Sequence, residues 1–143
     1  MPTDIIIREM QRDDITAARQ LWVNAFHAGY SSAFDTEAVI HRYLDRNPNL
    51  STVASTKDGT LVGALMCGHD GRRGSIYHTA VHPDYRHQGI AKRMEQRSIS
   101  ALRAIGITTG FLFIHIKNEG SQAFWHSMGW ETIEDIRYLY KQF

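Results

Sequence analysis

At 143 residues, with 43% hydrophobic and 22% charged residues, the chain has the composition of an ordinary soluble globular protein and the length for one domain, residues 1–143, able to bury a core without staples. Sixteen Lys and Arg against fifteen Asp and Glu leave a net charge of +1. That balance excludes a global field drawing the chain to nucleic acid or to an acidic membrane, so any anion site must be local.

The lone Cys67 excludes an internal disulfide and a cysteine metal cage, and its apolar neighbours read it as a small buried hydrophobe. The start, Met1-Pro2-Thr3-Asp4, has no basic region followed by a long apolar segment, and no uncharged apolar run approaches the roughly 20 residues that span a bilayer. A cytoplasmic protein is expected.

Ile5-Ile6-Ile7 is a β-branched run and predicts the first strand. Asp13 or Asp14 is placed to cap a helix with Ile15, Ala18, Trp22, Ala25 and Phe26 on one face, ending near Gly29. Asp35 or Thr36 caps a second helix carrying Val39, Ile40, Tyr43 and Leu44, closed by Pro48. Ser51 to Thr56 and Leu61 to Gly68 are β-rich, and the Asp58-Gly59 pair between them suits a two-residue turn with positive φ. A second Asp-Gly, in the loop HDGRRG, returns Ser75 to Val81 antiparallel to the strand before it.

Next come the turn His82 to Gly89 and a helix with apolar residues at Ile90, Met94, Ile99, Leu102 and Ile105, ending near Gly106. Thr109 to Ile116 predicts a strand, and strand–helix–strand requires a right-handed crossover with those two strands parallel. Asn118 to Ser121 leads into a short helix through Met128, with Gly129 at the left-handed position past its end. Trp130 to Phe143 alternates like a terminal hairpin turning at Glu134-Asp135. The fold class is therefore mixed α/β (α+β), a mostly antiparallel sheet with one parallel pair.

The chemistry concentrates in the turn. Backbone amides from Arg86 to Ala91 precede or begin a helix and have no intrahelical acceptor. Arg86, His87, Lys92 and Arg93 crowd the positive end of the helix dipole, where cations are unfavourable unless an anion joins them. Gly89 has no Cβ to hold a ligand off the backbone, and Ala91 is small. Strand, glycine-bearing turn and helix together form a phosphate cradle, and a diphosphate has the spread of acceptors to use it.

AVHPDYRHQGIA resembles the acyl-coenzyme A signature of the GNAT superfamily of N-acetyltransferases: Arg or Gln, two residues, Gly, one residue, then Gly or Ala. Arg86, Gly89 and Ala91 match it. NEGSQAFWHSMGW is similar to the family's downstream Asn, aromatic and Gly-aromatic pattern. The order of elements resembles the family over essentially all 143 residues, and Leu61 to Gly89 looks like small bacterial ribosomal-protein-acetyltransferase-like members. The resemblance implies a sheet flanked by helices on both faces, its parallel pair splayed. It implies acetyl-CoA as cosubstrate, with Arg86, His87, Gln88, Gly89, Ile90 and Ala91 at the pyrophosphate. Thr79, Ala80 and Val81 would then pair with the pantetheine arm, and Asn118 and Trp125 would stand nearby.

The pattern departs where catalysis is concerned. The fourth-strand position at which many members carry Glu is Tyr77, and Ser75 fills the other usual carboxylate position. The aromatic that is usually Tyr is Trp125, whose N–H is no practical proton source. His78 and His115, on the strands that would flank the thioester, are the remaining proton relays. Strand alternation sets Tyr77 on the site-facing side and His78 on the other. Phe26 to Asp35 and the terminal hairpin, with Tyr30, Ser31, Phe34, Trp125 and Tyr138, would border the acceptor.

His78 and His82, four apart on a strand and so about 13 Å from each other, cannot share a metal. No GxSxG, GKT, HExxH or CxxC motif occurs. The expected function is direct acetyl transfer to an amine of a small molecule or peptide, with Tyr77, His78 and His115 as candidate catalytic residues. A CoA-binding regulatory module is the alternative, and the oligomeric state, a homodimer included, stays open.

Overall fold

The computed structural model describes residues 4–26 and 35–143, in two compact units, Met1–Phe113 and Ile114–Phe143. The expected end of the first helix at Gly29, and Tyr30, Ser31 and Phe34, lie outside the described residues.

In the first unit, β1 (Ile6–Glu9) is followed by α1 (Ile15–Phe26), α2 (Glu37–Arg46), β2 (Thr52–Ser55), β3 (Leu61–His69), β4 (Gly74–Val81), α3 (Ile90–Ala104) and β5 (Gly110–Leu112). The five strands lie in the sheet in chain order. The first three pairings are antiparallel and β4 with β5 is parallel. This is the mixed, mostly antiparallel sheet that the patterning predicts.

Local sequence explains the entries to the helices. A 3-10 turn, Arg12–Asp14, precedes α1. The carboxylate of Asp14 reaches back to the Gln11 amide at 2.7 Å and accepts two bonds from the Arg8 guanidinium, at 2.7 and 2.9 Å. Asp13 and Asp14 thus sit inside the turn rather than at the N-cap. Burial raises the Asp14 pKa, but the Arg8 and Gln11 bonds and the Arg8 charge outweigh it and hold the carboxyl below its ordinary range. At α2 the cap is Thr36, whose hydroxyl accepts from the Val39 amide at 3.2 Å, satisfying one of the helix's unpaired donors.

Both faces of the sheet are covered, as β2 makes plain. Val53 joins Ile15, Ala18, Trp22, Ile40, Ala64 and Met66 in the core under α1 and α2. Its neighbours face α3: the Thr52 hydroxyl lies 2.7 Å from that of Ser98, and Ala54 shares with Met94 the space beside Gly63. Trp22 is fully buried, and its indole donates to the Ala64 carbonyl at 3.4 Å. Burying an aromatic of that size stabilises by about 4 to 6 kcal/mol. On α3 the buried stripe is Ile90, Met94, Glu95, Ser98 and Leu102. Ile105, expected on that face, is 54% exposed because the chain leaves the helix there.

The hairpins form where Asp-Gly occurs, with one correction. Only Gly59 has positive φ, at 91°, so the first turn is not the two-residue type, which needs positive φ at both central residues. Instead the Gly59 amide bonds to the Thr56 carbonyl and the Thr56 amide to Thr60. The Asp58 carboxylate holds the Thr56 hydroxyl and the Thr60 amide.

β5 stops at Leu112 rather than Ile116. Its register with β4 runs only from Gly74↔Gly110 to Ile76↔Leu112, and immediately afterwards β4 bulges: Met66 pairs with Tyr77, but Ala64 pairs with Ala80. A bulge bends its strand and strengthens the local twist, so the two strands part.

The second unit holds α4 (Glu119–Ser127). Gly129, with φ of 94°, ends it as predicted; the Gly129 amide bonds to His126 and the Trp130 amide to Trp125, the paired bonds of a Schellman motif. The expected terminal hairpin is not formed. A turn falls at Glu134 and Asp135, but residues 131–143 contain no strand, and Ile136, Tyr138 and Leu139 are at least 70% exposed. Alternation becomes a strand only when an edge pairs and a face packs. Among the described residues no helix is long and apolar enough to cross a membrane.

Candidate functional site

The turn between β4 and α3 begins with a 3-10 segment, Pro83–Tyr85, which His82 caps by accepting the Asp84 amide on its Nδ1 at 3.1 Å. His87 and Gly89 then take left-handed backbone, with φ of 62° and 78°. Alternation of this kind turns successive amides toward one point. The Arg86 amide is spent on the Pro83 carbonyl at 3.4 Å, and the Arg93 amide closes the first helical bond to Gly89. Between them, no acceptor among the described residues serves the amides of His87, Gln88, Gly89, Ile90, Ala91 and Lys92. A Cβ on Gly89 would meet nothing within 4 Å. The cradle is thus open space faced by unspent donors, one residue later than the span Arg86 to Ala91 read from the sequence.

Two of the four cations are partly engaged. Arg86 donates through Nε to the Val81 carbonyl at 3.1 Å, which ties the turn to the end of β4. Arg93 donates to the Ile5 carbonyl at 3.3 Å. His87 and Lys92 are exposed at the helix entrance and are placed to meet an anion.

The bulge decides what β4 presents. His78 has φ of 44°, a strained value for a residue with a Cβ. With the extra residue in the strand, Tyr77 and Ala80 both pack on the α1 core. His78 turns the same way, its ring 5.4 Å from Trp22, 6.1 Å from Phe26 and 6.5 Å from Tyr77. Strict alternation put Tyr77 and His78 on opposite faces; the bulge brings them together. His78 Nε2 lies 2.6 Å from Asp35 Oδ2, with the two side chains 22% and 9% exposed. Thr79 Oγ1 is buried with no partner among the described residues. Tyr43, packed on the same core, has its phenol pKa driven well up, mainly by burial.

The sequence places Asp35 as a possible helix cap and as the end of the segment expected to border the acceptor, but nothing local points to a histidine forty-three positions away.

The remaining candidates belong to the second unit. His115 is not on a strand: it is exposed, its Nδ1 accepts the Lys117 amide at 3.3 Å and its carbonyl accepts the Asn118 amide at 2.9 Å. Asn118 caps α4, its side chain accepting the Ser121 amide at 3.0 Å. Trp125 is buried, edge-on to Phe124 at 5.2 Å and to Trp130 at 5.7 Å. These three side chains have evident local work.

The sequence pattern of the acetyltransferase (GNAT) family matches residues 15–130. A relative from Yersinia pseudotuberculosis serotype I, Acetyltransferase YPTB2753, is 34% identical over 131 residues, covering 91% of this chain and 90% of its own. Among solved structures, aminoglycoside N-acetyltransferase AAC(6')-Iy in complex with CoA superposes with a TM-score of 0.80 at 18% identity, over 99% of this chain and 97% of that one. The PaiA N-acetyltransferase of Thermoplasma acidophilum, in complex with coenzyme A, gives 0.78 at 21%, over 94% and 93%. At these identities the structural likeness is one of fold.

Proposed function

Because the chain belongs to the acetyltransferase (GNAT) family, we propose that it takes the acetyl group of acetyl-CoA and passes it directly to a primary amine of a small molecule or peptide. The observation that carries this reading is the cradle: six consecutive amides, His87 to Lys92, without acceptors among the described residues at the entrance of α3, around a glycine whose Cβ direction is empty. A diphosphate satisfies such donors and relieves the repulsion between nearby cations and the helix dipole.

The chain's own residues divide the remaining work. His87, Gln88, Gly89, Ile90 and Ala91 bind the pyrophosphate through backbone, while Arg86 fixes the turn to β4. The edge of β4 at Thr79, Ala80 and Val81, past the last β5 pair, is left to receive an extended amide-bearing arm, which is strand addition to an open edge. The buried Thr79 hydroxyl, without a partner among the described residues, supports a polar ligand there. Bound acetyl-CoA supplies a thioester carbonyl and a thiolate leaving group, so no covalent enzyme intermediate is needed and the buried Cys67 is a bystander.

An alkyl ammonium ordinarily titrates near 10 and must lose a proton before it can attack. Tyr77 and His78 are the proposed proton-handling groups of the first unit; of the second, His115 is proposed for the same work and Asn118 and Trp125 for the cofactor. The matched segment, 15–130, runs through both compact units, which supports one acetyltransferase domain. The unpaired Cys67 agrees with a cytoplasmic setting.

The aminoglycoside enzyme among the structural relatives makes aminoglycosides one arm of an acceptor panel, beside polyamines, amino acids and peptide amino termini. Calorimetry should show saturable acetyl-CoA binding, and thiol release should appear with at least one amine. Absence of binding refutes the reading; binding without turnover on any amine favours a CoA-binding regulatory module.

A further inference from the structure

We propose that the side-chain hydroxyl of Thr79 is a specificity contact of the cofactor edge, donating a hydrogen bond to a carbonyl oxygen of an acetyl-CoA arm laid along β4. The proposal rests on the acetyltransferase reading above and adds a side chain to the backbone groups assigned to that arm.

Two buried hydroxyls lack a hydrogen-bond partner among the described residues, those of Tyr43 and Thr79. Burial drives the Tyr43 phenol pKa well up and the nearby Ser75 side chain opposes it, so a partner is at hand. The Tyr43 oxygen also closes over Gly68, at a level where β4 is paired on both sides, Ser75 with Gly68 and with Phe111. That hydroxyl is enclosed by the fold.

Thr79 stands elsewhere. It lies three residues past Ile76↔Leu112, the last pair between β4 and β5, on the stretch of β4 that pairs with β3 alone. It also belongs to the bulge, in which His78 and Thr79 fall between the pairs Met66↔Tyr77 and Ala64↔Ala80 and so oppose Leu65 together. A bulge takes a residue out of the ladder and re-aims the side chains beside it.

A buried hydroxyl with no acceptor destabilises the chain that carries it, because the water it gave up is not replaced. Valine has the same shape without that cost. A carbonyl arriving along the open edge supplies the acceptor that the chain lacks. Thr79 as a whole is only half-buried although its Oγ1 is closed off. A turn about χ1 between staggered wells exchanges hydroxyl and methyl, which brings the donor to the exposed side of the residue as the arm arrives.

The arm carries carbonyl oxygens of two kinds, in its amides and in its thioester. Only the thioester is missing from CoA, so acetyl-CoA and CoA together tell the two apart.

The test uses the full chain, unliganded and with each of these ligands. Thr79→Val should raise the urea midpoint of the unliganded protein by about 0.5 M, because an unsatisfied polar group is removed. The same variant should bind acetyl-CoA about three- to tenfold more weakly by calorimetry. A protein that is more stable yet binds less does not owe the loss to unfolding. Thr79→Ser, which keeps the hydroxyl and gives up the methyl, should bind within about twofold of wild type. An equal loss for CoA assigns the hydroxyl to an amide carbonyl, and a loss confined to acetyl-CoA assigns it to the thioester; either supports the proposal. Wild-type acetyl-CoA affinity in Thr79→Val, a lowered unliganded midpoint, or a Thr79→Ser variant that binds as weakly as Thr79→Val overturns the proposal and leaves the acetyltransferase reading intact. A wild-type protein that binds no acetyl-CoA overturns both.

Discussion

Replacing Gly89 by Asn separates a glycine needed for the chain's own turn from one needed for a ligand. Gly89 is the N-cap of α3 with φ of 78° and ψ of 11°, and a Cβ there would meet nothing within 4 Å. The folded protein therefore loses only the left-handed backbone preference, about 1 to 2 kcal/mol for a typical L-residue and less for Asn, which tolerates that region. At a urea dependence of about 1 to 3 kcal/mol per molar, the unfolding midpoint should fall by less than about 1 M. The same empty direction is where a diphosphate must approach the amides, and the Asn side chain fills it. Acetyl-CoA binding measured by calorimetry should weaken at least tenfold, or about 1.4 kcal/mol. A variant that binds acetyl-CoA like wild type refutes the cradle; one that loses binding only because it unfolds refutes the claim that the space is open.

Three further outcomes can be checked by unfolding and thiol chemistry. Gly74→Ala places a methyl 2.6 Å from Leu102 Cδ1 and 3.2 Å from its Cδ2; overpacking should cost about 1 to 3 kcal/mol in urea melts, and Leu102→Val in the same chain should recover part of it. Asp14 has a folded pKa below its ordinary value, so its contribution is present above about pH 4 and is lost as pH falls through the lower folded value; Asp14→Asn should flatten the acid side of the stability–pH curve by that group's share. Burial pushes the Cys67 thiol up to about 12, so a disulfide reagent at pH 8 should react on the timescale of unfolding, and Cys67→Ala should acetylate its amine as wild type does.

The elements with local punctuation were legible: Thr36 and Gly129 mark helix ends, Asp58-Gly59 and Asp70-Gly71 mark hairpins, and the RHQGIA turn marks the entrance of α3. What escaped depends on partners distant in sequence. FLFIHI reads as a long strand, yet its length is set by how far β4 stays straight, and the bulge opposite Leu65 is invisible in either strand alone. The same bulge moved His78 across the sheet, so a parity argument that is sound for an even strand failed there. Ser98 holds a core position no apolar pattern would assign, because its hydroxyl is satisfied at 2.7 Å by both Thr52 and the Leu50 carbonyl. The tail from Trp130 alternates as a hairpin should, but pairing is a property of neighbours, and the run remains without strand.

The placement of β1 to β5 side by side in chain order bears on how the molecule is made. Each strand meets its sheet neighbour as the next strand in the polypeptide, so the sheet can be laid down in the direction of synthesis. The β2–β3 and β3–β4 hairpins close over a few residues, at a low entropic toll, whereas the β1–β2 pair spans α1 and α2 and β5 must wait for the whole of α3 to emerge. The turn before α3 is thus translated before β5, the last strand to join the sheet.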